Sequence, residues 1–271
     1  MENSSRMRCA NKVAIVTGST AGIGLATVKK MVEEGGEVYM LVRNLEKAKP
    51  IVEELNAMGP GRIAEAVWFD GSEIDSIEPA IRKVYEKAGR IDIFVNNANG
   101  FKIDQKDNLT ITDTSHEVMM KLLEGTVGVY GEALRVAIPL MIEGGGGSIV
   151  NVSSTTSIQA DTTRSYYGIG KSAVNLLTQT VALQYGRQGI RCNAVLPAFT
   201  VAEKTLSVLP AGFSDSWVKH AYLRRLGTPD DQANAIMFFA TDDSAWVTGQ
   251  LLSVSGGFGV GSPCFCDVYG G

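Results

Sequence analysis

The feature that most constrains this chain is an alternation, kept from end to end, of short β-branched runs with longer stretches of helical periodicity. The runs Val13–Val16, Glu37–Val42, Ala64–Trp68, Ile91–Val95, Ser148–Val152, Arg191–Val195 and Leu251–Val254 read as strands. Between them, apolar residues recur at helical spacing over Gly22–Glu34, Leu45–Met58, Ile74–Ala88, Thr114–Ile142, Tyr167–Tyr185 and Asp230–Ala240. Strands that are apolar along their whole length are buried on both faces, so this alternation predicts repeated βαβ units and a parallel sheet covered by helices. No Pro/Ser-rich linker divides the series, and 271 residues with 45% hydrophobic content suit one sizeable core. A single domain over 1–271 is expected.

The first strand runs into Thr17-Gly-Ser-Thr-Ala-Gly-Ile-Gly24 and then a helix. Glycines there allow a tight turn and close approach of a pyrophosphate to the backbone, with the helix amino terminus facing the anion. The expected class is therefore a Rossmann-type, doubly wound α/β fold of about seven strands. A tight turn with a purely structural role would give the same triplet, and its place at the first β-to-α junction argues for the nucleotide. After the second strand the chain reads Val42-Arg43-Asn44, where selection of NAD would ask for an acidic side chain on the ribose 2′-hydroxyl. Arg43 predicts preference for a 2′-phosphate, hence NADP(H) over NAD(H); the alternative is a solvated arginine opening the next helix.

Tyr167 and Lys171 stand four apart in a helical pattern, so their side chains share one face about a turn apart. At ~4 Å and an effective dielectric of about 20, two unit charges interact by roughly 4 kcal/mol. A lysine ammonium is thus expected to lower a tyrosine pKa of ~10 by up to about three units, into the range of a general acid/base. Ser154, thirteen positions earlier at the end of the fifth strand, can hold a carbonyl oxygen there. The Tyr-x-x-x-Lys spacing is common in ordinary helices, so the case rests on its combination with Ser154 and the glycine turn. His116 and His220 have no serine in a nucleophile-elbow context, which leaves no Ser-His-Asp reading.

Twenty-five basic against 29 acidic residues, net −4, give no field for binding nucleic acid. The polar start, Met1–Lys12, lacks the apolar stretch of a secretory signal, and no run of about 18 apolar residues stands out as a membrane span. A cytoplasmic protein is expected. Cys9, Cys192, Cys264 and Cys266 are too few and scattered for a disulfide framework. Cys264-x-Cys266 could bind metal or sense oxidation, but with two histidines in the chain no metal site is expected. Two segments break the alternation: Asn99–Asp113 reads as a surface loop, and Ala198–Thr228 carries Phe199, Leu206, Leu209, Phe213, Trp217 and Leu223. The second is expected to be a lid at about 198–228 over an apolar small molecule, or else a cap on the core or a subunit contact.

Together these residues resemble the short-chain dehydrogenase/reductase family, from Lys12 to about Gly259. The motifs are the glycine turn, Phe69-Asp70, Asn96-Asn97-Ala98, Ser148-Ile-Val-Asn-Val-Ser-Ser154, Tyr167-Gly-Ile-Gly-Lys171, Arg191-Cys-Asn-Ala-Val-Leu-Pro197 and Gly249-Gln-Leu-Leu-Ser-Val-Ser-Gly-Gly257. The resemblance implies an enzyme interconverting an alcohol and a ketone. Tyr167 would exchange the proton, Lys171 would assist it and bind the nicotinamide ribose, and Ser154 would orient the oxygen. Gly18, Ser19, Thr20, Gly22, Ile23, Gly24, Arg43, Asp70, Gly71, Asn97, Ala98, Pro197 and Thr200 would also contact the dinucleotide, Asp70 at the adenine, while Asn96 would steady the central strand. A narrower likeness, to bacterial bile-acid 7α-hydroxysteroid dehydrogenases, rests on Val42-Arg-Asn-Leu-Glu-Lys-Ala48, Gly145-Gly-Gly-Ser-Ile-Val-Asn151, Ile190-Arg-Cys-Asn-Ala-Val-Leu-Pro197 and Ser255-Gly-Gly-Phe-Gly-Val-Gly-Ser-Pro263. It implies a steroid substrate.

Departures accompany the matches. Gly125 stands where the family usually has an asparagine supporting a water-linked proton path; its carbonyl remains and its backbone permits a local kink, so a bound water could still be held there. Asn99 replaces a glycine, and Ala198 and Ala202 replace the glycine and threonine expected after Pro197; Ala21 leaves Arg43 as the chief 2′-phosphate anchor. Other readings are a reductase of acyl thioesters or sugars, and a nucleotide-binding regulator with weak catalysis. The resemblance also implies a homotetramer or dimer through the helices around Gly128 and Leu176, where Gly125, Gly128 and Gly131 would permit close approach.

Overall fold

In the computed structural model the described residues are 7–58, 63–101, 110–201 and 212–261. Seven strands form one parallel sheet in the order β3-β2-β1-β4-β5-β6-β7. They are β1 Val13–Thr17, β2 Glu37–Val42, β3 Ile63–Trp68, β4 Ile93–Asn96, β5 Gly147–Val152, β6 Ile190–Pro197 and β7 Leu251–Val254. The helices are α1 Gly22–Glu33, α2 Leu45–Asn56, α3 Ile77–Ala88, α4 His116–Leu123, α5 Val129–Glu143, α6 Ser165–Tyr185, α7 Phe213–His220 and α8 Pro229–Ala240. The doubly wound parallel sheet of about seven strands expected from the alternation is the one observed.

Successive residues of a strand face opposite sides, and β1 shows the consequence. Val13 and Ile15 enter one core with Tyr130, Ala133 and Ala137 of α5 and Val174 of α6, while Ala14 and Val16 enter a second core with Val28 and Met31 of α1 and Ile236 of α8. Both faces of the sheet are therefore covered. The strand order reverses between β1 and β4, and their carboxyl ends flank the crevice where such sheets take ligands.

The continuous helix expected over Thr114–Ile142 is instead two helices joined by a π turn, Glu124–Gly128, capped at its start by Ser115. Thr126 returns its hydroxyl to the carbonyls of Leu122 (2.7 Å) and Leu123 (3.2 Å), and Gly125 has no side chain to hold the turn. The segment His116–Glu143 has the length and mean hydropathy, 1.2, of a membrane span, but 61% of its apolar window is buried, which makes it a core helix. Within the expected lid, Thr200 bridges Gly227 and α7 is a helix not anticipated from the sequence; residues 202–211, with Ala202, Leu206 and Leu209, lie outside the described residues, as do Pro263, Cys264 and Cys266. The expected surface loop begins buried, at Gly100 and Phe101.

Candidate active site

The glycine turn is built as its residues require. Gly18 has φ +66° and backs onto Ala98, and a Cβ on Gly24 would meet the Gly18 carbonyl oxygen at 2.6 Å and Asn97 Nδ2 at 2.7 Å. Asn97 fixes the turn to β4, its Nδ2 donating to the carbonyls of Thr17 (3.0 Å) and Gly18 (3.1 Å). Thr17 Oγ1 in turn accepts from the backbone N–H of both Asn97 and Ala98, each at 2.9 Å. Ala21 caps α1 with no side-chain acceptor, and the first turn of α1 holds no acidic residue. Its leading N–H groups are thus left for an anion.

The Ser19 hydroxyl is fully buried and donates to Val16 O at 3.1 Å, which leaves its backbone to reach a phosphate. Thr20 is half-buried beside it. Arg43 is exposed at the carboxyl end of β2, with no carboxylate partner among the described residues. Asp70 follows β3, and its Oδ1 accepts from the Ser72 N–H (2.9 Å) and hydroxyl (2.8 Å); Gly71 is buried against Gly100. Asn96 is buried and donates to Asn151 Oδ1 at 3.0 Å, which ties β4 to β5 through their side chains.

At the carboxyl ends of β5 and β6, Ser154, Tyr167 and Lys171 meet in one cleft of about 250 Å³ with Ile23, Asn97, Asn99, Pro197 and Thr200. Ser154 Oγ accepts from the N–H (3.2 Å) and hydroxyl (2.9 Å) of Thr156, which frees its own proton to bond the Tyr167 phenol. The Tyr167 ring is partly exposed while its hydroxyl is enclosed. Burial pushes that phenol up from its ordinary value, against the Ser154 hydrogen bond and the Arg164 charge, which both lower it. Lys171 is 1% exposed, and burial brings its amine down to about 7. This corrects the expectation of an ammonium depressing the tyrosine: in a dry site both groups favour their neutral forms. Lys171 Nζ bonds Val152 O (2.8 Å) and the Tyr130 hydroxyl (3.2 Å) and lies 5.8 Å from the Tyr167 ring centroid.

The water seat expected at Gly125 is also altered. Its carbonyl accepts the Gly100 N–H at 2.7 Å, and the buried Phe101 ring fills the space of a side chain there, with Cδ1 2.4 Å from a Cβ built on Gly125. That ring meets Tyr167 edge-on, centroids 6.3 Å apart. Gly125 therefore serves packing within the chain, whereas a Cβ at Gly131 would meet nothing within 4 Å.

Thr155, Thr156, Arg164 and Trp217 join the cleft to a second cavity of about 380 Å³, walled also by His220, Tyr222 and Phe258. Trp217 stacks on Phe199 at 5.3 Å and packs on Phe258 at 4.3 Å. Sequence reading missed Thr156, Arg164, Phe101 and Tyr130; none stands in a motif, and although Arg164 is three residues before Tyr167, the other three are brought near it by the fold. His220 ends α7, with Nδ1 buried and unpartnered among the described residues. No group of three metal-ligating side chains occurs among the described residues.

A dinucleotide fits this arrangement: the α1 turn tolerates no Cβ at Gly24, and Asn99 Oδ1, at the cleft, is a buried acceptor without a partner among the described residues. Residues 18–259 match a family model described as enoyl-(acyl carrier protein) reductase. The chain is 42% identical over 260 residues to a 7α-hydroxysteroid dehydrogenase of Clostridium sardiniense, covering 96% of this chain and 98% of that one. It is 32% identical to a 3-oxoacyl-(acyl-carrier-protein) reductase of Thermotoga maritima, covering 93% and 99%. Among solved structures, a 7α-hydroxysteroid dehydrogenase complexed with NADH and 7-oxo glycochenodeoxycholic acid superposes with a TM-score of 0.86 at 29% identity, covering 95% and 98%. With the parallel sheet, the glycine turn and the Ser-Tyr-Lys cluster in place, these matches show that the chain belongs to the short-chain dehydrogenase/reductase family of NAD(P)(H)-dependent oxidoreductases.

Proposed function

We propose that this enzyme uses NADP(H) to interconvert a secondary alcohol and a ketone on a hydroxysteroid of the bile-acid type. The observation that carries the reading is the convergence of Ser154, Tyr167 and Lys171 on a cleft that opens into an aromatic-walled cavity. A rigid, apolar ring system suits those walls, and its reacting oxygen would lie at Ser154 and Tyr167. The nicotinamide, when bound, supplies the hydride chemistry. Tyr167 holds the proton that the substrate oxygen gains or loses, and Ser154 orients that oxygen with the hydroxyl proton Thr156 leaves free. Lys171 offers an N–H to the ribose and, when protonated, its charge to the phenol. Gly18, Gly22, Ile23 and Gly24 present backbone to the pyrophosphate, Asp70 and Gly71 lie where the adenine would rest, and Arg43 supports the preference for a 2′-phosphate. Trp217 and Phe199 act as the substrate-covering part of the 198–228 segment.

Oligomerisation is part of the proposal. Ile169, Leu176 and Leu183 recur every seven residues on α6 and are 47%, 65% and 85% exposed, a stripe suited to a second copy of the chain. Light scattering of the purified protein distinguishes monomer from dimer or tetramer.

The test of function is a spectrophotometric screen with NADPH and NADH against oxo- and hydroxy-bile acids, other steroids and acetoacetyl thioesters. Turnover of a steroid with NADP(H) is expected. Turnover confined to the thioesters would replace this reading with the acyl-carrier reductase activity that the Thermotoga relative's name describes. NADPH binding without turnover across the panel would leave a nucleotide-binding regulator.

A further inference from the structure

Lys171 is a buried amine with an unusual support. Among the described residues its amine is reached by no carboxylate; the titratable or charged groups around it there are Tyr130 from α5, Tyr167 from α6 and Arg164 just before α6, with the Val152 carbonyl from β5. The Tyr130 hydroxyl is fully buried and donates its hydrogen to Val152 O at 2.9 Å, the same carbonyl that Lys171 Nζ reaches at 2.8 Å. With its hydrogen committed, Tyr130 has only lone pairs to show the amine at 3.2 Å, and its ring faces Nζ at 4.6 Å from the centroid. Burial holds the Tyr130 phenol well above its ordinary value, so it stays protonated and keeps this polarity.

We infer that Tyr130 is a positioning residue for Lys171, fixing the orientation of the amine and favouring its protonated state through the closed triangle of Tyr130 hydroxyl, Lys171 amine and Val152 carbonyl. Two of the three N–H directions of an ammonium are taken by this triangle, so the third is left for the cleft that Lys171 lines. A phenylalanine at 130 would keep the ring face and lose the acceptor. The inference rests on the reading of Lys171 as the group that assists Tyr167, and its direct test does not need turnover.

The experiment is a pH titration of the intact protein carrying 13Cε-labelled lysine, followed by NMR, with the Lys171 signal assigned from Lys171→Arg. The wild-type midpoint is expected at about 7. In Tyr130→Phe it should fall by about one pH unit, the order of one charge-assisted hydrogen bond, with a comparable upward displacement of the pH profile for alcohol oxidation. An unchanged midpoint, even with a lowered Tm, makes Tyr130 a packing residue only and overturns the inference. Should Tyr130→Phe not fold, the wild-type Tyr130 hydroxyl proton serves instead: it should shift as Lys171 titrates, and insensitivity across that midpoint overturns the inference equally. A moved midpoint in a protein that turns over no carbonyl substrate would retain the inference and sink the proposed function.

Discussion

Restoring an asparagine at position 125 should damage this protein rather than improve it. A Cβ there would lie 2.4 Å from Phe101 Cδ1 and 3.2 Å from the Gly100 carbonyl carbon, and the Phe101 ring is confined between Gly125 and Tyr167. Overpacking a filled site costs about 1–3 kcal/mol, and about 2–4 °C of Tm accompanies each kcal/mol in a domain near this size. Gly125→Asn should therefore lower Tm by about 2–12 °C and reduce turnover, because the ring that yields is the one touching Tyr167. Adding Phe101→Ala removes the obstacle, so the double variant should be more stable than the sum of the two single changes predicts, by about 1 kcal/mol or more. Thermal melts of the four proteins in one buffer give the cycle. Additive changes, or a Gly125→Asn protein as stable and active as the wild type, would show that Phe101 does not occupy the asparagine's space.

Tyr167→Phe should lower turnover by about 10²–10⁴-fold while leaving the NADPH dissociation constant nearly unchanged, since the hydroxyl alone is lost; residual activity within tenfold of wild type would remove Tyr167 from its role. Arg43→Asp should move the NADPH/NADH preference toward NADH by roughly 10- to 150-fold, the worth of one charge-assisted contact to a phosphate, and unchanged ratios in steady-state assays would dismiss Arg43. Because burial holds the Tyr167 phenol up, its proton-donating form prevails at neutral pH and the ionised form grows only as pH rises. Ketone reduction should therefore run at neutral pH, and alcohol oxidation should climb toward alkaline pH; an oxidation rate that falls between pH ~7 and ~9 contradicts the assignment.

How much of this was legible in the sequence differs by element. Glu37–Val42 and Leu251–Val254 are strands with the expected bounds, because a short, mostly apolar run entered from a glycine turn leaves few alternatives. The π turn after Leu123 was legible only as a local kink that the Gly125 backbone permits. Apolar spacing runs on through it, and what breaks the helix is a hydroxyl bond from Thr126 and an absent side chain at Gly125, neither of which alters periodicity. Helix α7 was hidden in a segment read as irregular: Phe213 and Trp217 are helically spaced but serve Phe199 and Phe258 from elsewhere in the chain. The Ser-Tyr-Lys cluster was legible because two of its members share a helix face. Tyr130 was not, since its hydroxyl partners Val152 and Lys171 are 22 and 41 residues away and a tyrosine in an apolar helix reads as core.

The same burial that hides Tyr130 from sequence reading sets the chemistry of the site. Spacing alone places an ammonium beside a phenol and suggests that the charge lowers the phenol's pKa, but the argument holds only if the amine stays charged. Lys171 is buried without a counter-ion among the described residues, so the cost of desolvation falls on both partners and pushes their pKa values in opposite directions, Tyr167 up and Lys171 down. Near neutral pH the resting site thus holds a protonated phenol beside an amine close to its titration midpoint. An anion brought close to Lys171 would favour the ammonium, and the ammonium would then favour the phenolate, so the acid/base power of Tyr167 is coupled to occupancy of the cleft rather than built into the empty fold. Such coupling keeps a reactive phenolate from standing exposed to solvent, and it makes any group that biases the protonation of Lys171, Tyr130 first among them, a control on Tyr167 at one remove.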